Sequence, residues 1–162
     1  MGLCHAEGVK DIRNITPLLE LANRNCIIVS DGDTPAKEKQ KEFQAIHGYG
    51  VWKRYDEISK SFKAETGEDF IKEDFFKSHL EEVKKKNPSI AGNPTLAATG
   101  RMAAVKKWLL EQSVAPEMAS LFPNELKHNI FDDLKPSDID TPYYDFLKDF
   151  SSLVDTAILK QT

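Results

Sequence analysis

The sequence feature that most limits the possible folds is a short apolar run, CIIVS, which spans Cys26 to Ser30 and stops at Asp31, Gly32 and Asp33. The run consists mostly of β-branched and apolar residues that do not alternate with polar ones. This pattern is typical of a strand covered on both faces, as in a parallel sheet. The sequence therefore predicts a buried strand with two carboxylates directly after it.

The segments around this run predict alternating helices and strands. A helix-like segment with an early Pro17 precedes the run, and a Lys- and Glu-rich helix follows it from Thr34 to Ile46. GVWKRY, at residues 50–55, predicts a second strand. This order favours a right-handed, parallel α/β unit. Ligands of open α/β sheets bind at the carboxyl ends of the strands, which is where we expect the two aspartates.

Beyond residue 56 the strand signals fade and the pattern becomes helical. Apolar positions recur at roughly helical spacing in SHLEEVKKK, TLAATGRMAAVKKWLLEQ and YYDFLKDFSSLVDTAIL. The breaks NPSIAGNP and KPSDIDTP are rich in Pro, Asn and Ser and predict loops. We therefore expect an α/β fold class, with an α/β domain over residues 1–80 and a helical extension over residues 81–162.

Composition and charge narrow the possible functions. The 22 basic and 26 acidic residues give a net charge of -4, so nucleic acid would have to bind to a local basic face. No apolar run approaches the roughly 20 residues of a transmembrane helix. The start lacks the basic and apolar regions of a signal peptide. Cys4 and Cys26 form no disulfide framework. We expect a cytoplasmic protein with no membrane partner.

Asp31 and Asp33 have a metal-binding and a structural interpretation. Carboxylates at i and i+2 can converge on one divalent cation, whose charge offsets their mutual repulsion. Alternatively, Asp31 caps the following helix and Asp33 occupies a turn, which is a common use of Asp-Gly-Asp sequences. The sequence pattern alone leaves both interpretations open.

The same residues resemble the hhhhDxDxT motif of the haloacid dehalogenase phosphatases. That resemblance implies Asp31 as nucleophile and Asp33 as acid/base, with Phe131 to Asp133 as a later acidic motif. Pro35 stands where that family has Thr or Val, and a helix precedes the strand that should come first. A phosphatase of this type is therefore kept as an alternative.

A longer segment, EGVKDIRNITPLLELANRNCIIVSDGDTPAKEKQKEF, contains a glycine loop at Gly8, a helix, an apolar strand, and DxD followed by a Lys-rich helix. In this order it resembles the second half of a Toprim domain, the metal-binding fold of topoisomerases, primases and nucleases. More narrowly, it resembles the C-terminal Toprim domains of the overcoming-lysogenization-defect (OLD) family of ATPase-nucleases. The resemblance covers about residues 5 to 80 well and the rest loosely. It implies a partial Toprim-like, Rossmann-like parallel sheet followed by an α-helical extension.

The resemblance also implies roles for particular residues. Asp31 and Asp33 would bind Mg²⁺ or Mn²⁺ and polarise a phosphodiester. Glu68 and Asp69 are the best match to an acidic pair that contributes to a second metal, with Glu68 also catalytic. Arg101 occupies the place of a basic residue that stabilises charge on the scissile phosphate, although the family has a lysine there.

The two acidic pairs downstream have other interpretations. Glu68 and Asp69 also match a helix N-terminus, with Thr66 as its cap and acids in the first turn. Asp56 and Glu57, just after GVWKRY, are a second candidate pair at a strand end, and an ordinary loop explains them equally well.

One Toprim element is missing from the sequence. The family normally opens with a strand that ends in a glutamate, and no such segment precedes Asp31; Glu7 and Gly8 match the second loop instead. The resemblance therefore implies the C-terminal portion of a longer nuclease in an oligomeric antiviral-defence assembly, with an ATPase upstream or on another subunit and DNA or RNA as substrate. The alternative is a noncatalytic Toprim-like module that docks on an ATPase or another subunit. The sequence has no GxxxxGK[ST] motif of its own.

Overall fold

The computed structural model describes residues 11–46, 49–112 and 114–159. The order of its elements is α1 (Ile12–Leu21), β1 (Ile27–Ser30), α2 (Thr34–Ile46), β2 (Val51–Arg54), α3 (Tyr55–Ile58), a 3₁₀ turn (Gly67–Phe70), α4 (Glu73–Lys86), α5 (Arg101–Glu111), α6 (Pro116–Asp133), a second 3₁₀ turn (Pro136–Asp138) and α7 (Thr141–Leu159). Cys4, Glu7 and Gly8 lie outside the described residues, so the part of the Toprim resemblance that they carry stays a prediction.

These elements form two compact units. The first contains residues 11–63 and 145–159, and the second is Ala64–Tyr144. The chain thus passes from the first unit to the second once and returns within α7. The predicted domain division after residue 80 stays a prediction.

A parallel two-stranded sheet forms the centre of the first unit. β1 and β2 pair in register, with Ile28 opposite Trp52 and Ser30 opposite Arg54. α2 makes the crossover between them, because consecutive strands that run in the same direction cannot be joined by a tight turn. The coarse α/β prediction, both predicted strands and their parallel direction are confirmed.

One face of this sheet carries the small core of the first unit. Ile28 and Trp52 pack there against Ile12 of α1 and Phe43 of α2. The rings of Phe43 and Trp52 meet edge to face, with centroids 5.3 Å apart, an arrangement that adds about 0.5–1.5 kcal/mol to the effect of area burial. Both helices therefore anchor on the same face of the sheet.

The other face of the sheet is open within the described residues. Val29 is 36% exposed and Val51 is 42% exposed. The expectation of a strand covered on both faces is therefore wrong for this part of the chain. The reason is that the apolar side chains of α1 and α2 pack on the face of Ile28 and Trp52.

The second unit is helical and has the larger core among the described residues. α6 packs against both α4 and α5. The buried residues of this core are all 6% exposed or less: Ile71, Phe76, Leu80, Val83, Ile90, Met102, Val105, Trp108, Leu109, Phe122, Leu126 and Ile130. The helix predicted in SHLEEVKKK is confirmed within α4, whose last turn ends with three lysines where cations favour the helix dipole.

Two helices of this unit differ from the sequence prediction. The helix predicted from residue 95 begins only at Arg101, because Gly100 has φ +72° and a left-handed residue ends a right-handed helix. α6 was not predicted, since it contains Pro123 and starts at Pro116. Proline at the first turn is favourable, but inside a helix it removes a hydrogen bond. Apolar packing of the α6 residues in the core compensates for that loss.

α7 confirms the helix predicted in YYDFLKDFSSLVDTAIL. In the first unit, Phe146 meets Tyr55 edge to face at 5.4 Å, and the carboxylate of Asp149 accepts the backbone N–H of Lys60 at 3.1 Å. These contacts hold the end of the chain on the segment that follows β2. Across the described residues, no helix is both long enough and apolar enough to cross a membrane.

Candidate functional site

Asp31 and Asp33 lie in the turn between β1 and α2. β1 ends at Ser30 and α2 begins at Thr34, so the turn leaves the carboxyl end of the strand directly. Oδ1 of Asp33 accepts the backbone N–H of Ala36 at 3.0 Å. Asp33 is therefore the cap of α2, whereas the structural interpretation of the sequence gave that role to Asp31. Both aspartates are partly buried.

The end of β2 brings more charged side chains to the same edge of the sheet, because Arg54 pairs in register with Ser30. Nε of Arg54 lies 2.9 Å from Oδ1 of Asp56, and Nη2 lies 3.2 Å from Oδ2. Nη1 lies 3.3 Å from Oε1 of Glu57. The second acidic pair predicted from the sequence is therefore partly neutralised by a two-pronged arginine contact.

Gln40 of α2 ties this charged group to the helix. Its Nε2 donates to the carbonyl of Trp52 at 2.9 Å and to Oε2 of Glu57 at 2.8 Å, and its Oε1 accepts from Arg54. The side chain is buried, so an amide with all these partners is well satisfied. Nothing in the sequence singled out Gln40, because a glutamine in a Lys-rich helix reads as a solvent-facing residue.

Ser30 and Trp52 connect the two strand ends. Nε1 of Trp52 donates to Oγ of Ser30 at 2.9 Å. The Ser30 hydroxyl in turn donates to the carbonyl of Asp31 at 3.1 Å. Trp52 of β2 thus holds the Ser30 side chain, which in turn holds the carbonyl of Asp31, the first residue of the turn.

A Mg²⁺ or Mn²⁺ ion fits the donor chemistry of Asp31 and Asp33. Each carboxylate oxygen has two lone pairs, so the bond from Ala36 leaves acceptor positions on Asp33. Mg²⁺ is usually held by one or two carboxylates, with water and substrate phosphate completing its shell. In the part of the chain that the structure describes, no group of three or more His, Cys, Asp or Glu side chains is placed to hold a metal. The pair therefore fits an open site rather than a cage of protein ligands.

Asp69 lies in the second unit and binds backbone N–H groups from two segments. Oδ2 accepts from Glu65 at 2.8 Å and from Gly100 at 2.9 Å, and makes a longer contact of 3.4 Å with Thr66. Oδ1 accepts from Arg101 at 3.1 Å. The side chain is 1% exposed. Asp69 thus joins the turn that follows Thr66 to the first turn of α5. The acids lie in the first turn as the helix-terminus interpretation expected, but the Thr66 hydroxyl makes no capping hydrogen bond.

Glu68 precedes it in the same 3₁₀ turn and is equally buried. Its Oε1 lies 2.8 Å from Nζ of Lys127 on α6, and the Lys127 side chain is 37% exposed. A carboxylate buried to this degree requires such a partner. The sequence did not indicate this ion pair, because Glu68 and Lys127 are far apart along the chain.

Arg101, the first residue of α5, is 3% exposed. Its guanidinium donates to the carbonyls of Ile71 and Ala97 and lies over the ring of Phe76, 5.8 Å from its centroid. These contacts give Arg101 a packing role between α5 and α4. Its proposed action on a scissile phosphate stays a prediction.

The predicted site residues are divided between the two units. Asp31 and Asp33 belong to the first, whereas Glu68, Asp69 and Arg101 belong to the second, where Asp69 and Arg101 are in direct contact. No protein-family model, curated protein or solved structure matches the chain. The Toprim and OLD resemblance therefore stays a prediction that depends on the sequence pattern.

Proposed function

We propose that the chain is the C-terminal portion of a Toprim-type, divalent-metal-dependent nuclease, and that Asp31 and Asp33 bind its Mg²⁺ or Mn²⁺. The observation that carries the proposal is the position of both aspartates at the carboxyl end of a parallel strand pair. Parallel α/β sheets bind their ligands at this edge. The OLD-like pattern around DxD directs the proposal to nucleic-acid phosphodiesters and to antiviral defence.

The chain's own residues would do two things at this edge. Asp31 and Asp33 provide hard oxygen ligands, and the cap on Ala36 orients the Asp33 carboxylate at the start of α2. At the end of β2, Arg54 pairs with Asp56 and Glu57 and partly offsets their charge. When bound, the metal supplies Lewis-acid polarisation of the phosphodiester and a water of lowered pKa.

Of the four metal ligands that the Toprim resemblance implies in this chain, the proposal keeps Asp31 and Asp33. Asp69 already accepts several backbone N–H groups, and Glu68 is paired with Lys127. Under this proposal the remaining metal ligands and the missing glutamate come from a preceding or partner segment, which also supplies the ATPase. The assembly is cytoplasmic and oligomeric. Because the chain itself has a net charge of -4, DNA or RNA would have to bind to a local basic patch.

The second candidate function is a noncatalytic Toprim-like module that docks on an ATPase or another subunit. It is favoured by the small donor set, because among the described side chains no cluster of three metal ligands occurs. A module of this kind has no need to retain metal binding. Metal affinity therefore separates the two candidates.

The experiment is a calorimetric titration with Mn²⁺ on the wild-type chain, Asp31→Asn and Asp33→Asn. Both changes remove charge and keep the side-chain shape, and asparagine preserves the cap that Asp33 makes. Glu38→Gln, on the exposed face of α2, is the matched control. We expect saturable binding in the wild type and control, with a loss in both aspartate variants.

Cleavage of plasmid DNA and of RNA is then assayed with the same samples. Cleavage that disappears in both variants supports a catalytically sufficient chain. Binding without cleavage requires the glutamate-bearing segment to be added in a second assay. An absence of Mn²⁺ binding in the wild type contradicts the proposed function and leaves Asp31 and Asp33 as turn and cap residues.

A further inference from the structure

The bond between Trp52 and Ser30 is placed where it affects the geometry of the metal-binding turn. Ser30 shares a sheet face with Ile28, which pairs with Trp52, so the indole reaches along the sheet to the end of β1. Both side chains are buried, at 5% for Trp52 and 8% for Ser30. Water therefore does not replace this bond easily.

The same tryptophan also fixes the helix on the other side of the turn. Its carbonyl accepts a hydrogen bond from Nε2 of Gln40, a residue of α2 that is 4% exposed. Asp33 caps that helix. Asp31 directly follows Ser30, the last residue of β1, and the Ser30 hydroxyl accepts the indole N–H of Trp52. Trp52 is thus hydrogen-bonded to both elements that the turn joins.

Two carboxylates can share one Mg²⁺ only if their oxygens converge to about 2.0–2.1 Å from the ion. Convergence depends on the backbone angles of the turn, and the Ser30 hydroxyl holds the carbonyl of Asp31 at 3.1 Å. We propose that Ser30 and Trp52 are positioning residues that align Asp31 and Asp33 for metal binding. This inference rests on the proposed function, because it assumes that the pair binds a divalent cation.

The test measures Mn²⁺ affinity by calorimetry and the electron paramagnetic resonance signal of bound Mn²⁺ for Ser30→Ala, Trp52→Phe and the double variant. Circular dichroism first establishes that each variant is folded at the temperature used. Partners that orient metal ligands are worth roughly 10- to 100-fold in affinity. We expect each single variant to bind Mn²⁺ about tenfold more weakly, with an altered resonance signal.

Two comparisons separate positioning from general stability. Trp52→Phe removes one of the two hydrogen bonds that Ser30→Ala removes, so the double variant should bind no more weakly than Ser30→Ala. Ser30→Thr keeps the hydroxyl and should restore wild-type affinity. Trp108→Phe, at a residue 6% exposed in the other unit, should leave the affinity unchanged.

Wild-type affinity in Ser30→Ala or in Trp52→Phe overturns the inference while the proposed metal site stands. Losses that add in the double variant also overturn it, since they show two independent effects. If the wild-type chain itself fails to bind Mn²⁺, the proposed function fails and this inference fails with it. The wild-type titration thus distinguishes the two failures.

Discussion

At the residue scale, Asp69 shows how a single carboxylate can hold distant backbone segments together. Its oxygens accept N–H groups from Glu65, Gly100 and Arg101, and the side chain is 1% exposed. Removing it leaves buried donors without partners, and each such donor costs about 1–3 kcal/mol. This role needs no metal.

We therefore expect Asp69→Ala to lower the free energy of unfolding by about 2–4 kcal/mol in metal-free buffer. The measurement is urea denaturation followed by circular dichroism. Glu82→Ala, at an exposed position of α4, is the control and should change stability by less than about 0.5 kcal/mol. Unchanged stability of Asp69→Ala in the absence of metal would contradict the structural role and favour the metal-ligand prediction.

Gly100 meets two separate constraints. It has φ +72°, and a Cβ atom there would lie 3.2 Å from Oε2 of Glu65. Gly92 has φ +69° with nothing within 4 Å of that position. A side chain in the left-handed region costs about 1–2 kcal/mol.

Gly92→Ala and Gly100→Ala form a matched pair for this reason. Both variants should lose about 1 kcal/mol of unfolding free energy from backbone strain, and Gly100→Ala should lose more because Glu65 must also move. Urea unfolding of both variants measures the difference. Equal losses would show that the Glu65 side chain gives way freely.

At the element scale, α6 is a helix that packing maintains in spite of its composition. Pro123 lies inside it and donates no hydrogen bond. Phe122, Leu126 and Ile130 are fully buried and follow one another at intervals of one helical turn. The contribution of tertiary packing to helix stability commonly exceeds that of intrinsic propensity.

Neighbouring positions on α6 should therefore respond very differently to truncation. Phe122→Ala, at a fully buried site, should destabilise the protein by about 3–5 kcal/mol. Leu121→Ala, at a side chain that is 62% exposed, should stay within about 0.5 kcal/mol of the wild type. Thermal and urea melts give both values. A small effect of Phe122→Ala would mean that α6 is not held by its buried face.

At the scale of the whole molecule, the two compact units have cores of very different size. Among the described residues, the core cluster of the first unit is Ile12, Ile28, Phe43 and Trp52, whereas that of the second has twelve buried residues. Burial of apolar area is the main favourable contribution to folding. Within the part of the chain that the structure describes, the second unit therefore has more stabilising burial.

Each unit carries one buried tryptophan, Trp52 in the first and Trp108 in the second. In the Trp108→Phe variant, the fluorescence of Trp52 reports the unfolding of the first unit. In the Trp52→Phe variant, the fluorescence of Trp108 reports the unfolding of the second. We expect the Trp52 signal to change at a lower urea concentration than the Trp108 signal. Coincident transitions would show instead that the chain unfolds as one cooperative body.

Metal binding adds a further expectation at this scale. A ligand that binds only the folded state at one hundred times its Kd stabilises it by about 2.7 kcal/mol. In the Trp108→Phe variant, Mn²⁺ at that excess should raise by this amount the unfolding free energy that Trp52 fluorescence measures. Adding Asp31→Asn should abolish the increase. A shift of equal size in the aspartate variant would place the cation elsewhere.

The sequence by itself determined the features that depend on neighbours along the chain. The CIIVS run, the Lys-rich helix and GVWKRY predicted β1, α2 and β2, because strand and helix periodicities are local. They also placed Asp31 and Asp33 at a strand end. The acids of the Gly67–Phe70 turn matched a helix terminus for the same reason.

Only the tertiary structure decided what depends on residues far apart in sequence. The N–H groups that Asp69 binds at Gly100 and Arg101, and the pairing of Glu68 with Lys127, arise from chain segments that meet only in the folded second unit. The existence of α6 likewise depends on a buried face that outweighs Pro123. Local patterns cannot specify such contacts, because their free energy comes from burial and partners that the folded chain alone provides.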